Sequence, residues 1–65
     1  MATDTEQELF TILEAANYLR ISRASMYRLV NQGDIKSFHI GKLPRIRRPD
    51  LEAYVERLMA EQHGI

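Results

Sequence analysis

The sequence contains no cysteine and no tryptophan. Without thiols it has no disulfide framework, no thiolate zinc site and no thiol chemistry. Histidine is scarce as well, and the two scattered residues His39 and His63 do not build a metal site by themselves. Long apolar runs are missing. No stretch free of Lys, Arg, Asp and Glu exceeds five residues, which excludes a transmembrane helix and a secretory signal peptide. No repeat and no Gly- or Pro-rich linker divides the chain, so its 65 residues form one small domain. At this size folding buries only about 60% of the surface that the unfolded chain exposes. So small a core leaves little room for a closed catalytic pocket. The expectation is a soluble, cytosolic, non-enzymatic module.

A net charge of zero hides an asymmetry. Residues 1–19 carry −4, residues 20–48 carry +7 and residues 49–65 carry −3. The basic middle holds Arg20, Arg23, Arg28, Lys36, Lys42, Arg45, Arg47 and Arg48 against Asp34 alone. A concentrated positive segment is the footprint of a polyanion-binding face. The competing reading is a solvated surface whose arginines pair with the acidic ends.

Residues 1–8 are polar, acidic and aperiodic, and read as a disordered arm. Thr11 and Glu14 then have the spacing of a capping box, with Phe10 placed to staple onto Ala15. The helix they open runs to about Leu19, with Ile12, Leu13, Ala16 and Leu19 on its apolar side. Ser22 is a second N-cap, opening a helix over residues 23–32 that Gly33 ends. Its apolar stripe is Met26, Leu29 and Val30, opposite Ala24, Arg28 and Asn31. The gap between the helices is only about three residues, which suits a helix-turn-helix.

From Ile35 the period changes to two. Phe38 and Ile40 share one side, Gly41 and Lys42 supply a tight turn, and residues 43–47 return. Pro44 is tolerable because both strands of a two-stranded ribbon are edges. A lone hairpin is marginal in water, so Phe38, Ile40 and Ile46 are expected to pack against the helices. The last helix opens at Pro49, with Leu51, Tyr54, Val55, Leu58 and Met59 at helical spacing and Gly64 as its stop. The predicted core is Leu13, Ala16, Leu19, Ile21, Met26, Leu29, Val30, Phe38, Ile40, Ile46, Leu51, Tyr54, Val55 and Leu58. The fold class is mainly α with a small β-hairpin, a winged helix-turn-helix over residues 9–63. In such a plan the second helix enters a major groove and the ribbon reaches a neighbouring groove or backbone. The basic segment coincides with both elements.

The chain also resembles a known family. The runs FTILEAANYL (10–19) and MYRLV (26–30) look like the excisionase-type winged helix-turn-helix. So do Ile21 and Ser22, Gly33, Asp34 and Ile35, Ile40 and Gly41, and Arg45 and Ile46. That family includes phage and plasmid excisionases and is similar to the DNA-binding part of MerR-type regulators. The resemblance implies a recombination directionality factor of the bacterial cytoplasm. Such a protein binds attachment-site DNA in several copies, bends it and steers a partner integrase towards excision. Two departures stand out. Arg20 occupies the position where the inter-helix turn usually carries glycine, so a left-handed conformation there is strained. Pro44 is unusual in the wing and disturbs the returning strand.

The candidate DNA-binding residues of the second helix are Arg23, Ala24, Ser25, Tyr27, Arg28 and Asn31, and those of the wing are Lys42, Arg45 and Arg47. Arg28 suits a guanine edge or a phosphate, and Arg23 and Ser25 lie in the first turn, where helices meet phosphates. Tyr27 suits either a phosphate or packing beneath the wing. Asn31 suits either adenine or a routine place near a helix end. The wing cations suit phosphates better than base edges. Ser22 is first a cap, and His39 is a wing-surface residue. The serines have no neighbouring base, the glycines form no phosphate loop, and Asp34 and Asp50 lack a metal-ligand pattern. No catalytic residue, cofactor or metal is expected. The partners are double-stranded DNA (attachment or operator site) and, by resemblance, an integrase and further copies of the chain on DNA. A small transcription regulator with the same DNA surface is the second reading, and a protein-interaction module using the last helix is the third.

Overall fold

A computed structural model describes residues 7–63 of the chain. The elements follow in the order β1 (Leu9–Phe10), α1 (Ile12–Leu19), α2 (Arg23–Asn31), β2 (Phe38–Ile40), β3 (Leu43–Arg47) and α3 (Arg48–His63). The proposed arm falls mostly on residues 1–6 and the proposed stop on Gly64, both outside the described residues. Hydrogen bonding is already present at Gln7, whose Nε2 donates to the Leu9 carbonyl and to Glu14 Oε1, both at 2.9 Å.

The start of α1 is the expected capping box. Glu14 N–H donates to Thr11 Oγ1 at 3.0 Å, and Thr11 N–H donates to Glu14 Oε1 at 2.9 Å. Its end is a Schellman closure, with Ile21 N–H reaching the Ala16 carbonyl at 2.9 Å and Arg20 N–H reaching Asn17 at 3.2 Å. That closure needs a left-handed residue, and Arg20 supplies it at φ 60°, ψ 43°. The conformation costs a residue with a Cβ about 1–2 kcal/mol. Arg20→Gly removes that cost, less the greater entropy glycine loses on folding and the helix-end charge. We therefore expect a net stabilisation of about 0.5 kcal/mol, read as a raised urea midpoint. A lowered midpoint means that the guanidinium contributes more than the strain costs.

The end of α2 repeats the closure with the residue suited to it. Gly33 takes φ 83°, and Asp34 N–H bonds the Leu29 carbonyl at 2.9 Å. In the wing, Gly41 has φ 64° and is the first central residue of a two-residue turn, the type II′ arrangement.

The sheet corrects the expectation of a two-stranded ribbon. Its order is β1-β3-β2, so β3 is the central strand. Leu9 and Phe10 pair with Arg47 and Ile46, and Phe38, His39 and Ile40 pair with Arg45, Pro44 and Leu43. Pro44 is nevertheless compatible with a central strand. The pair that closes a two-residue turn is hydrogen-bonded, so the next pair, His39 with Pro44, is not. The missing N–H would point to the other edge, where β1 has already ended. At the end of β3 the chain passes directly into α3. Arg48 N–H donates to the Glu8 carbonyl at 3.0 Å, and Pro49 sits in the first turn, where no helical donor is required.

The core is Phe10, Ile12, Ala15, Ala16, Met26, Ile35, Ile46 and Leu51, with Leu19, Ile21, Leu29, Val30 and Tyr54 packed around it. Leu13, Phe38 and Ile40, expected inside, are 52%, 39% and 51% exposed. For Leu13 the reason is helical geometry. Ile12, Ala15, Ala16 and Leu19 form the i, i+3, i+4, i+7 stripe, and Leu13 falls 100° away from its leading member. For the wing the reason is parity. Ile40 pairs with Leu43 and Phe38 with Arg45, so these four share one face, while Ile46, an odd number of residues on, faces the core from the other. Val55 and Leu58 are only half-buried, because α3 packs chiefly against β3 and its later turns extend past it.

Candidate nucleic-acid interface

Two local features fix the orientation of α2. Ser22 caps it, its Oγ accepting from Ser25 N–H at 3.0 Å and lying 2.9 Å from Ser25 Oγ. Met26, fully buried, pins the inner face. With that face fixed, Arg23, Ala24, Tyr27, Arg28 and Asn31 are all exposed. Ser25 is half-buried and bound into the cap, so its hydroxyl already has a structural partner.

The start of α2 and the wing meet across an open cleft of about 270 Å³. Its walls are residues 11–13 at the start of α1, Arg23 and Tyr27 on α2, and residues 43–45 on β3. The cleft exists because β1 ends at Phe10 and turns into α1, leaving the edge of β3 beyond Ile46 uncovered towards α2. Two of the candidate cations, Arg23 and Arg45, thus line one concavity with the Tyr27 ring. Arg45 Nη1 donates to the Pro44 carbonyl at 2.9 Å, which steadies the guanidinium and leaves its other donors for a ligand.

Arg28 lies beside Ala24 on the outer face of α2, turned about 100° from Tyr27, whereas Asn31, four residues after Tyr27, is only about 40° from it. Lys42 stands at the apex of the hairpin. Among the described residues none of Arg23, Arg28, Lys42 and Arg45 is in an ion pair, so their charge faces solvent. Arg47 differs from them. Its Nε lies 3.1 Å from Asp50 Oδ2 and its Nη2 3.4 Å from Oδ1. The hydrogen bond and the charge of Asp50 raise the guanidinium above its ordinary pKa. Arg47 is therefore engaged at the junction of β3 and α3 rather than in the cleft. Arg48, also in the basic segment, pairs with Glu52 at 3.8 Å and lies over the Phe10 ring at 5.6 Å.

Sequence reasoning missed Leu13, Leu43 and Pro44 as walls of this cleft. The signal for Leu13 was its place outside the α1 stripe, and for Leu43 its opposite parity to Ile46. Among the described residues no group of three or more His, Cys, Asp or Glu is placed to hold a metal ion, and no helix is long and apolar enough to cross a membrane.

A helix-turn-helix whose second helix presents unpaired cations beside a cationic wing defines a DNA-binding domain rather than an enzyme. The chain belongs to the helix-turn-helix domain family, whose model matches residues 9–59. It is 44% identical over 54 residues to a probable excisionase of Saccharopolyspora erythraea, covering 83% of this chain and 55% of that protein. It is 38% identical over 56 residues to the transcriptional repressor DcmR of Methylorubrum extorquens, covering 83% of this chain and 21% of that protein. The chain thus spans about half of the first relative and about a fifth of the second. No solved structure matches it. The resemblance to excisionases read from the sequence stands, and with it a DNA-binding helix-turn-helix domain.

Proposed function

We propose that the chain is an excisionase, a cytoplasmic recombination directionality factor that binds attachment-site DNA in several copies, bends it and directs a partner integrase towards excision. One observation carries the DNA-binding mode: α2 and the wing place Arg23, Tyr27 and Arg45 around a single cleft. A strand of duplex DNA crossing that cleft has α2 in the major groove on one side and the wing tip in the minor groove on the other. Arg28 and Asn31 face base edges, while Arg23, Arg45 and Lys42 hold phosphates. Residues 9–63 form the binding domain in this reading. The later turns of α3, exposed and carrying Glu56, Met59 and Glu61, are left for protein partners, either an integrase or the next copy.

Excision is favoured by the higher identity and broader coverage of the excisionase relative. The second reading is operator binding by a small transcription regulator, favoured by the repressor relative. A recombination assay with the cognate integrase separates them. Excision that depends on this chain supports the first, and repression of a promoter without any effect on recombination supports the second.

The DNA-binding mode itself is tested on a duplex selected by the chain from a random pool. Arg28→Ala should weaken binding to that duplex by about 1–3 kcal/mol and relax preference at one base position. Binding to random duplex should fall far less. If the variant keeps both the affinity and the base preference of the parent, α2 does not read bases through Arg28.

A further inference from the structure

The wing presents apolar side chains where a small protein would ordinarily bury them. Ile40 and Leu43, paired across the type II′ turn, are 51% and 56% exposed, and Phe38 behind them is 39% exposed. A core that holds only eight buried residues among the described ones thus leaves three large apolar groups on the outer face of the hairpin. The register accounts for their being outside, but their chemistry still matters to what the tip touches. Lys42 stands at the apex between the pair, and Arg45 follows on the same face as Leu43, so the apolar tip is flanked by cations. Leu43 also lines the cleft that holds Arg23 and Tyr27, so a duplex seated on α2 meets this tip. The tip is stiff as well. Pro44 fixes the backbone next to Leu43, and Arg45 bonds its carbonyl.

An apolar group between cations at the end of a narrow ribbon has the chemistry of a minor-groove wedge. The cations hold the phosphates of the two strands, and the apolar side chains displace water from between base pairs, partly unstacking a step. We propose that Ile40 and Leu43 form such a wedge, entering the minor groove beside the site read by α2 and opening one base step, so that the duplex bends towards its major groove. This rests on the DNA-binding reading above and adds the means of bending to it. Pyrimidine–purine steps, TpA above all, unstack most easily and are the favoured place of insertion.

The test uses the full chain and the selected duplex, labelled at its ends for energy transfer and carrying 2-aminopurine at single steps on the wing side. The parent should shorten the end-to-end distance and brighten 2-aminopurine at one step only. The double variant Ile40→Ala, Leu43→Ala removes exposed groups, so its thermal melt should stay close to that of the parent. It should bind about tenfold more weakly, with little bending and no brightening, while Leu43→Met, which keeps an apolar group of similar size at the tip, should retain both signals. The slope of affinity against salt should be unchanged, because no cation is removed. A complex that forms with straight DNA, or a double variant that bends as the parent does, overturns the wedge and leaves the DNA-binding reading in place. Loss of self-association in the double variant without loss of bending also overturns it, and makes the face a contact between copies. Absence of any complex in dilute buffer removes both readings.

Discussion

Ile46→Ala should leave the chain largely unfolded at 25 °C. Ile46 is fully buried on the central strand, paired with Phe10 on β1 and inside the cluster formed by α1, α2 and the start of α3. Both α1 and α3 pack on β3, so a cavity here loosens the contact that joins the helices to the sheet. Truncating a buried isoleucine to alanine costs about 2–5 kcal/mol. A single core in a domain of this length rarely supplies more than about 3–5 kcal/mol, so the loss is comparable with the whole. Circular dichroism in a urea titration should show no folded baseline for the variant. Ile46→Val, costing about 0.5–1.5 kcal/mol, should remain folded with a lower midpoint. Phe38→Ala, on the outer face of the same hairpin, should shift the midpoint much less. If Ile46→Ala and Phe38→Ala destabilise equally, the faces of the hairpin are assigned the wrong way round.

The assignment of those faces is also where sequence reasoning stopped short. The caps were legible because they are local: Thr11 with Glu14, Ser22, Gly33 and the turn at Gly41 each act within a few residues. The helix boundaries followed from them. The period-two pattern over Phe38 and Ile40 was legible too, but it marks a shared face without saying which way it points. Parity held the answer. A two-residue turn pairs Ile40 with Leu43, and Ile46 is three positions further along, so Ile40 and Ile46 do not share a face. Expecting both inside treated apolar character as sufficient for burial.

Other gaps were non-local. The strand of Leu9 and Phe10 is two residues long and exists only because β3 is there to pair with it. Ile35, only 2% exposed, lies between two elements and belongs to neither periodicity. In α3 the apolar spacing located a stripe correctly, yet of its members only Leu51 is buried, because what covers a stripe is decided by the rest of the fold. In the site, charge located the segment but not the pairing. Arg47 is engaged by Asp50, three residues along the chain, across the boundary between strand and helix.

That pairing decides the expected dependence of DNA binding on salt. Each phosphate neutralised by a cation releases condensed counterions, so log K falls against log salt by about 0.9 for each contact on duplex DNA. The sequence offers five cations on α2 and the wing, Arg23, Arg28, Lys42, Arg45 and Arg47, for a slope of roughly −4 to −5. With Arg47 held by Asp50 and Arg28 turned to base edges, three remain, and the slope should be about −2.7, a loss of roughly 40-fold in affinity for a fourfold rise in salt. Asp50→Asn releases Arg47 at a cost of about 0.3–1 kcal/mol in favourable charge at the start of α3, so the protein should stay folded. Its slope should steepen by about 0.9, and its affinity should rise most in dilute buffer. Fluorescence anisotropy with a labelled duplex, titrated at several salt concentrations for parent and variant, gives both slopes. Equal slopes would place Arg47 either on a phosphate in the parent or away from DNA in both proteins, and Arg47→Ala distinguishes these by flattening the slope only in the first case. A parental slope near zero would remove phosphate contact altogether, and with it the role assigned to the cleft between α2 and the wing.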